Sequence, residues 1–183
     1  MRTGKAGLDH IKEFEGLSLK DYDDGTGVRT VGYGHTSSAG PPAVTKGMTI
    51  TKQKAEDILQ SDLHEVENDV TRLVTAPINQ NQFDAFVSFH FNTGGLGRSS
   101  ALKYFNAGNS KEVPSLLLMW NKAGGKVLPG LIRRRKAEGA LFMSPFRDAA
   151  PPPPDIPKPE APIPQYNTLH AIIDFVIALF KRK

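Results

Sequence analysis

The sequence predicts an α+β fold, with a small N-terminal β-hairpin lobe followed by a larger helical lobe. Near the N-terminus, a glycine-rich turn separates two strand-like stretches. From residue 51 onwards, apolar residues recur at the spacing of an α-helix. Towards the C-terminus, 8 of the 14 prolines fall between residues 149 and 164, which predicts an appendage separate from the folded body.

The proline-rich stretch divides the chain into a body (1–147), a linker (148–164) and a tail (165–183). Four consecutive prolines exclude helix and sheet, so the linker is expected to be a stiff, polyproline-like spacer. In the tail, the mostly apolar stretch 169–180 precedes the cations of 181–183. This pattern predicts a short amphipathic helix that suits a membrane interface but is too short to span a bilayer. Docking on the body and self-association are the alternatives for this tail.

The N-terminal part predicts one helix and one hairpin. Leu8, Ile11 and Glu15 share a helix face, and the following glycine is expected to end that helix. The stretch 19–35 then predicts a β-hairpin with its turn at 24–27, and a third strand can follow.

The helical lobe is marked by its start and stop residues. Thr51 is predicted to cap a long helix that ends at Pro77. A second helix is expected at about 79–93, with its phenylalanines in the core. Ser100 and Ser110 are predicted caps of shorter helices. The last helix of the body is expected to open at a proline and carries four consecutive cations, 133–136.

The composition excludes several classes of site and partner. Cysteine is absent, which excludes a disulfide scaffold, a thiol nucleophile and cysteine-ligated metals. The five histidines show no ligand spacing, so no metal and no cofactor are expected. Residues 1–69 carry 8 Lys and Arg against 12 Asp and Glu, whereas residues 70–147 carry 11 against 3. The basic part predicts an anionic partner, but no recognised nucleic-acid module is present.

Two carboxylates and a hydroxyl form the main candidate site. Cleavage of a glycosidic bond needs one carboxylic acid and a second carboxylate, which either activates water or attacks the sugar. Glu15 at a helix end suits the acid, Asp24 in a glycine-rich turn suits the ionised partner, and Thr30 offers a hydroxyl to hold water. Asp21 and Asp23 compete with Asp24 on composition. A calcium loop starting at Asp21 fails because its glycine comes one position early and its twelfth position is not a glutamate.

Three separated blocks of the body carry a family resemblance. Segment 15–35 holds Glu, Asp and Thr at positions 15, 24 and 30, and the other blocks are segments 79–102 and 120–135. In this order they resemble the phage-type lysozymes, the endolysins of glycoside hydrolase family 24. The resemblance covers residues 4 to about 146 and none of the linker or tail.

This resemblance implies a lysozyme-like fold with a cleft between the two lobes. It also implies hydrolysis of the β-1,4 bond between N-acetylmuramic acid and N-acetylglucosamine in peptidoglycan, leading to host cell lysis. Glu15 would be the general acid, Asp24 the second carboxylate, as base or nucleophile, and Thr30 the residue that positions water. The family is described as inverting, which would make Asp24 a base.

Four further sets of residues have both a functional and a structural interpretation. His35 can line the cleft or make a polar contact at a strand end, and Asn92 can reach a sugar or cap its helix. Trp120 can stack on a sugar or lie in the core. One of the arginines 133–135 can pair with Glu15, while at least two of the four cations at 133–136 are expected on a solvated face.

Two other functions remain open on the sequence. A lytic transglycosylase would cleave the same bond without water, and a non-catalytic module would bind wall or membrane only. The first ten residues lack an apolar segment, so no signal peptide is expected. The expectation is therefore a monomer made in the host cytoplasm that reaches the cell wall at lysis through a holin-type pore.

Overall fold

A computed structural model describes residues 1–23, 25 and 27–145 of the chain. Asp24, Thr26 and residues 146–183 lie outside the described residues. The predicted place of Asp24 in the turn and the predicted linker and tail helix therefore remain predictions.

The N-terminal lobe is a three-stranded antiparallel sheet in the order β1-β2-β3. Its strands are β1 (Ser18–Asp23), β2 (Arg29–Gly32) and β3 (His35–Thr36). The predicted hairpin and third strand are confirmed. Strand β2 ends at Gly32, because Gly32 and Gly34 both have positive φ values, 67° and 90°, which turn the chain into β3.

Six α-helices make up most of the rest of the described fold, and their bounds follow. They are α1 (Lys5–Glu15), α2 (Lys52–Leu73), α3 (Gln80–Thr93), α4 (Ser100–Asn106), α5 (Val113–Leu118) and α6 (Pro129–Met143). Helix α3 lies at the centre of the core, where Phe83, Phe86 and Phe89 are at most 1% exposed. The prediction of an α+β fold with a small sheet and a larger helical lobe is confirmed.

The predicted helix boundaries are partly right. The Thr51 side chain accepts a hydrogen bond from the backbone N–H of Lys54, which confirms it as the cap of α2. Helix α2 ends at Leu73, before Pro77, because Val74 already has extended backbone. The helix expected at about 79–93 ends at Thr93, and Gly94 follows it with φ 57°, a left-handed conformation that glycine favours.

Two predicted caps are wrong. Ser99 rather than Ser100 caps α4, and its side chain accepts from the backbone N–H of Leu102. Ser110 starts a short 3₁₀ turn, Ser110–Glu112, instead of capping an α-helix. In both places two adjacent polar residues compete for the boundary, and the local sequence does not separate them.

The structure contains one hairpin that the sequence does not predict. The segment after Trp120 forms strands β4 (Lys122–Ala123) and β5 (Lys126–Val127), which pair antiparallel. Gly124 and Gly125 connect them with φ values of 55° and 76°, as a two-residue hairpin turn requires. The pair Gly-Gly indicates a loop on its own, and it becomes a hairpin turn here because the short flanking strands pair.

The N-terminus of α1 is fixed by a carboxylate from α3. Asp84 is fully buried and accepts hydrogen bonds from the backbone N–H groups of Gly4 (2.9 Å) and Gly7 (3.1 Å). A side chain at position 7 would not fit, because a Cβ there would lie 2.7 Å from Asp84. This contact sets the position of the helix that ends in Glu15.

None of the helices in the described part is long and apolar enough to cross a membrane.

Candidate active site

Glu15 lies at the junction of the two lobes. It is the last residue of α1, and Gly16 follows it with φ 71°. A Cβ placed on Gly34, in the turn between β2 and β3, would lie 3.8 Å from Oε2 of Glu15. The Glu15 side chain keeps 21% of its surface exposed. Its carboxyl group is thus held between sheet and helices and still open to solvent.

Arg134 is the arginine that pairs with Glu15. Its Nη1 donates to Oε1 of Glu15 over 2.6 Å, and the guanidinium lies 5.6 Å from the centre of the Phe14 ring. Arg133 and Lys136, on the same helix, are exposed. The sequence leaves the choice among three arginines open, and the expectation that two of the four cations are solvated is confirmed.

Thr30 lies in the central strand of the sheet. It is 4% exposed and stands opposite Tyr22 of β1 and Thr36 of β3. Strand β2 leads directly into the turn in which Gly34 approaches Glu15. The third member of the predicted set, Asp24, lies outside the described residues.

The two aspartates that compete with Asp24 both hold the hairpin together. Asp21 is buried, pairs with Arg29 and accepts from the backbone N–H of Gly47 at 2.8 Å. Asp23 accepts from the backbone N–H groups of Gly25 and Gly27, at 2.9 and 3.1 Å. Both carboxylates have structural partners within the N-terminal lobe.

His35 makes a structural contact rather than facing a substrate. The ring is 2% exposed, and its Nδ1 and Nε2 lie 2.9 Å from Oδ2 of Asp62 and from the carbonyl oxygen of Pro42. Both ring nitrogens are therefore occupied by protein oxygens. Burial raises the pKa of Asp62, although the contact with His35 works in the opposite direction. Asp62 has no signal in the local sequence that marks it as the partner.

Asn92 and Trp120 lie at the edge of the helical lobe. Asn92 is exposed at the end of α3, and its Oδ1 accepts from Nη2 of Arg135 at 2.9 Å. Trp120 is half-buried, packs edge-on against Phe89 at 5.3 Å and has Arg98 over its ring. Asn92 can still reach a ligand with its amide nitrogen, whereas Trp120 is mainly engaged with the core.

Behind Arg134 lies a buried charge cluster that sequence reasoning missed. Glu138, Arg135 and Arg134 are 0%, 0% and 4% exposed. Burial raises the pKa of Glu138 and lowers the pKa of Arg135, while their mutual attraction works against both shifts. The available signal is the spacing, since Glu138 follows the arginines by four and three positions on one helix.

Among the described residues, no group of three or more potential ligands could hold a metal ion.

Known proteins share both the sequence and the fold of this body. The family model for phage lysozyme matches residues 12–138. This chain belongs to the phage lysozyme family. The family consists of muramidases, which are glycoside hydrolases that act on the peptidoglycan of the cell wall.

Two relatives show how far the similarity extends. The endolysin of Salmonella phage P22 is 40% identical over 146 residues, which cover 79% of this chain and 99% of the relative. The endolysin of Bacillus phage B103 is also 40% identical, but the match covers only 55% of that longer protein. The chain therefore spans about half the length of one relative and nearly all of the other.

Solved structures agree with the described fold. The muramidase domain of SpmX from Asticaccaulis excentricus has a TM-score of 0.71 and 37% identity, covering 79% of this chain and 99% of that one. An endolysin from the Escherichia coli O157:H7 phage FAHEc1 has a TM-score of 0.72 and 36% identity, covering 78% and 94%. The lysozyme-like fold implied by the sequence resemblance is confirmed.

Proposed function

We propose that this chain is an endolysin that hydrolyses the β-1,4 bond between N-acetylmuramic acid and N-acetylglucosamine. The observation that carries the proposal is the Glu15 carboxyl group, held at 2.6 Å by Arg134 at the lobe junction and still partly exposed. A carboxyl group in this position is within reach of a glycan strand that lies between sheet and helices.

In this proposal the three predicted residues have separate roles. Glu15 protonates the glycosidic oxygen as the bond to the leaving sugar breaks, and Asp24 acts as the second carboxylate. Thr30 positions the attacking water. Asp24 is proposed because the spacing of positions 15, 24 and 30 resembles that of the phage-type lysozymes, and the competing carboxylates of Asp21 and Asp23 accept hydrogen bonds from the backbone.

The test is the rate of turbidity loss of purified peptidoglycan. Glu15→Gln and Asp24→Asn are each expected to lower the rate by about 10²- to 10⁴-fold, the usual contribution of an acid–base group. Glu13→Gln is the matched control for the first, because Glu13 is an exposed neighbour on α1. Asp23→Asn is the control for the second, because an asparagine oxygen can still accept from Gly25 and Gly27. A Glu15→Gln protein with wild-type activity would refute the assignment and favour a non-catalytic binding module.

Product analysis separates hydrolysis from the transglycosylase alternative. Hydrolysis releases new reducing ends, whereas a lytic transglycosylase leaves 1,6-anhydro ends. The expected products are reducing ends only. Anhydro products would overturn the proposed role of water and of Thr30, even if Glu15 is essential.

The tail carries a separate proposal, based on its sequence alone. Residues 169–180 are mostly apolar and precede the cations of 181–183, a pattern that suits the interface of an anionic membrane. We propose that the body 1–147 is the catalytic domain, with 148–164 as a linker and 165–183 as a membrane-contacting tail. Deletion of 148–183 is expected to reduce liposome binding and lysis of intact cells while leaving cleavage of purified peptidoglycan unchanged. Unchanged liposome binding and cell lysis would refute it.

The proposed site of action is the cell wall, reached from the host cytoplasm at lysis, with the protein acting as a monomer. Fractionation of producing cells with and without a membrane pore tests the route, and sedimentation of the full chain tests the oligomeric state. Release of the protein to the cell wall in cells that lack the pore would contradict the proposed route. A stable dimer in sedimentation would contradict the proposed monomer.

A further inference from the structure

A single carboxylate on α6 faces two consecutive arginines in the interior. Oε1 of Glu138 accepts from Nη2 of Arg135 at 2.8 Å, from Nε of Arg134 at 3.3 Å and from the hydroxyl of Ser88 at 2.9 Å. Oε2 of Glu138 lies 2.7 Å from Nε of Arg135. Oε1 of Glu138 therefore accepts three hydrogen bonds, whereas its Oε2 is in ion-pair contact with Nε of Arg135 without the geometry of a hydrogen bond.

The contacts of Arg134 fix its orientation on three sides. Its Nε faces Glu138, its Nη2 donates to the carbonyl oxygen of Ser88 at 3.5 Å, and its Nη1 donates to Glu15 at 2.6 Å. A planar guanidinium that is bonded along three edges cannot rotate without losing one of these contacts. The position of Nη1 relative to Glu15 therefore depends on the anchor at Glu138 and Ser88.

Arg135 connects the same carboxylate to the exposed end of α3. Its Nη2 is shared between Glu138 and Oδ1 of Asn92, at 2.8 and 2.9 Å, and its guanidinium lies 4.9 Å from the centre of the Phe89 ring. Because an arginine only donates, the Asn92 oxygen must face it, and the Asn92 amide nitrogen is left to donate outwards. A sugar N-acetyl carbonyl is an acceptor of the right kind for that nitrogen.

We propose that Glu138 is a positioning residue that sets Glu15 through Arg134 and Asn92 through Arg135. The inference rests on the proposed function, since it assumes that Glu15 is the acid and Asn92 a substrate contact. Glu138 itself is 0% exposed and touches no substrate. Its role is to hold the acid and one binding group in fixed positions from one buried point.

The cluster has two arms, Glu138–Arg134–Glu15 and Glu138–Arg135–Asn92. The two arms are expected to affect different kinetic parameters. Glu138→Gln keeps the size of the side chain but removes its charge and turns one acceptor into a donor. We expect kcat on soluble peptidoglycan fragments to fall about 10- to 100-fold, because a misplaced acid can cost about this much. We expect KM to rise about threefold through the arm that leads to Asn92, because one neutral hydrogen bond makes only a modest net contribution to binding.

Double-mutant cycles test the two arms. In an Arg134→Met background, Glu138→Gln should change kcat by less than about twofold, because neighbours acting through one another are not additive. In an Asn92→Ala background, the rise in KM should likewise disappear. If Glu138→Gln lowers kcat by the same factor with and without Arg134, Glu138 does not act through Arg134 and the proposal is wrong.

A second cycle covers the case in which Glu138→Gln does not fold. Ser88→Ala removes only the 2.9 Å hydrogen bond to Glu138. It should lower kcat about two- to fivefold in the wild type and not at all in the Arg134→Met background. Equal losses in both backgrounds would also overturn the proposal.

Two controls separate a positioning role from a general loss of stability and from a failure of the proposed function. Leu102→Ala, a change of a buried apolar side chain on α4, should lower stability and leave kcat within about twofold. A Leu102→Ala protein that loses kcat like Glu138→Gln would mean that kcat simply follows stability, which contradicts a positioning role. Full activity of Glu15→Gln would instead refute the proposed function. If Glu15→Gln is inactive but the effects of Glu138→Gln and Arg134→Met are additive, only the positioning role of Glu138 is refuted.

Discussion

The histidine on α1 predicts a specific dependence of stability on pH. His10 is half-buried, packs against Phe14 with the two tilted ring centres 4.9 Å apart, and has a buried Nε2 without a protein partner among the described residues. Burial lowers the pKa of His10 to about 4, and the charges of Arg134 and Arg135 act in the same direction. His10 is therefore neutral in the folded protein at neutral pH.

The sign follows from proton binding in the two states. Between the unfolded pKa of 6.5 and the folded pKa of about 4, the unfolded chain binds more protons at this position, so stability falls as the pH falls through that window. A shift of this size corresponds to about 3 kcal/mol, and partial contact with solvent reduces the expected effect to about 1–2 kcal/mol. Above pH 7 the group contributes no pH dependence.

Denaturant unfolding of the wild type and His10→Leu between pH 4 and 7.5 tests this reasoning. The carboxyl groups of Asp62, Asp84 and Glu138, whose pKa values are raised by burial, titrate in both proteins and cancel in the difference. We expect the variant to gain about 1–2 kcal/mol relative to the wild type as the pH falls from 7 to 4. A difference between the two proteins that stays constant with pH would refute the assignment of a neutral, buried His10.

Three substitutions and one control have expected effects on the free energy of unfolding, each measured by denaturant titration at pH 7. Gly7→Ala should cost about 1–3 kcal/mol because its Cβ would lie 2.7 Å from Asp84, whereas Gly130→Ala, with no atom within 4 Å, should cost nothing; equal values would contradict the close approach. Asp62→Asn should cost about 1–3 kcal/mol, because the amide lacks the negative charge that the carboxylate places beside the buried ring of His35. An unchanged free energy of unfolding would argue against the buried pair. Thr51→Ala should cost about 1 kcal/mol through the lost cap of α2, and no loss would show that the cap is replaced by water.

The fold is predictable from the sequence where local and tertiary preferences agree. Helix α2 has an N-cap at Thr51 and apolar residues at helical spacing, and its face is buried as expected. The prediction fails where neighbouring residues compete, as at Ser99 and Ser100. It also fails at Gly124–Gly125, because the strands flanking that turn have only two residues each and leave no alternating pattern.

Sequence analysis can propose site residues only where their types and spacing along the chain suit a known reaction. The spacing of Glu15, Asp24 and Thr30 is visible within one segment, and a family resemblance strengthens it. Arg134 and Glu138 lie more than a hundred residues away from Glu15 along the chain. The sequence names three arginines that can pair with Glu15, but no local pattern selects Arg134 among them or indicates that Glu138 lies behind it. Burial of His35 beside Asp62 is equally hidden, because this contact depends on how α2 packs against the sheet rather than on either local sequence.

The buried arginines change the meaning of the basic stretch in the sequence. Residues 70–147 carry 11 Lys and Arg against 3 Asp and Glu, which on its own suggests a strongly positive surface towards an anionic wall. Arg134 and Arg135 do not contribute to such a surface, because they are buried and paired with Glu15 and Glu138. Long-range attraction must come from exposed cations such as those of the β4–β5 hairpin, and it will be screened over about 8–10 Å at physiological salt. On the proposed function, the basic stretch would combine two roles, with internal cations that hold the Glu15 side chain and external ones that attract an anionic wall.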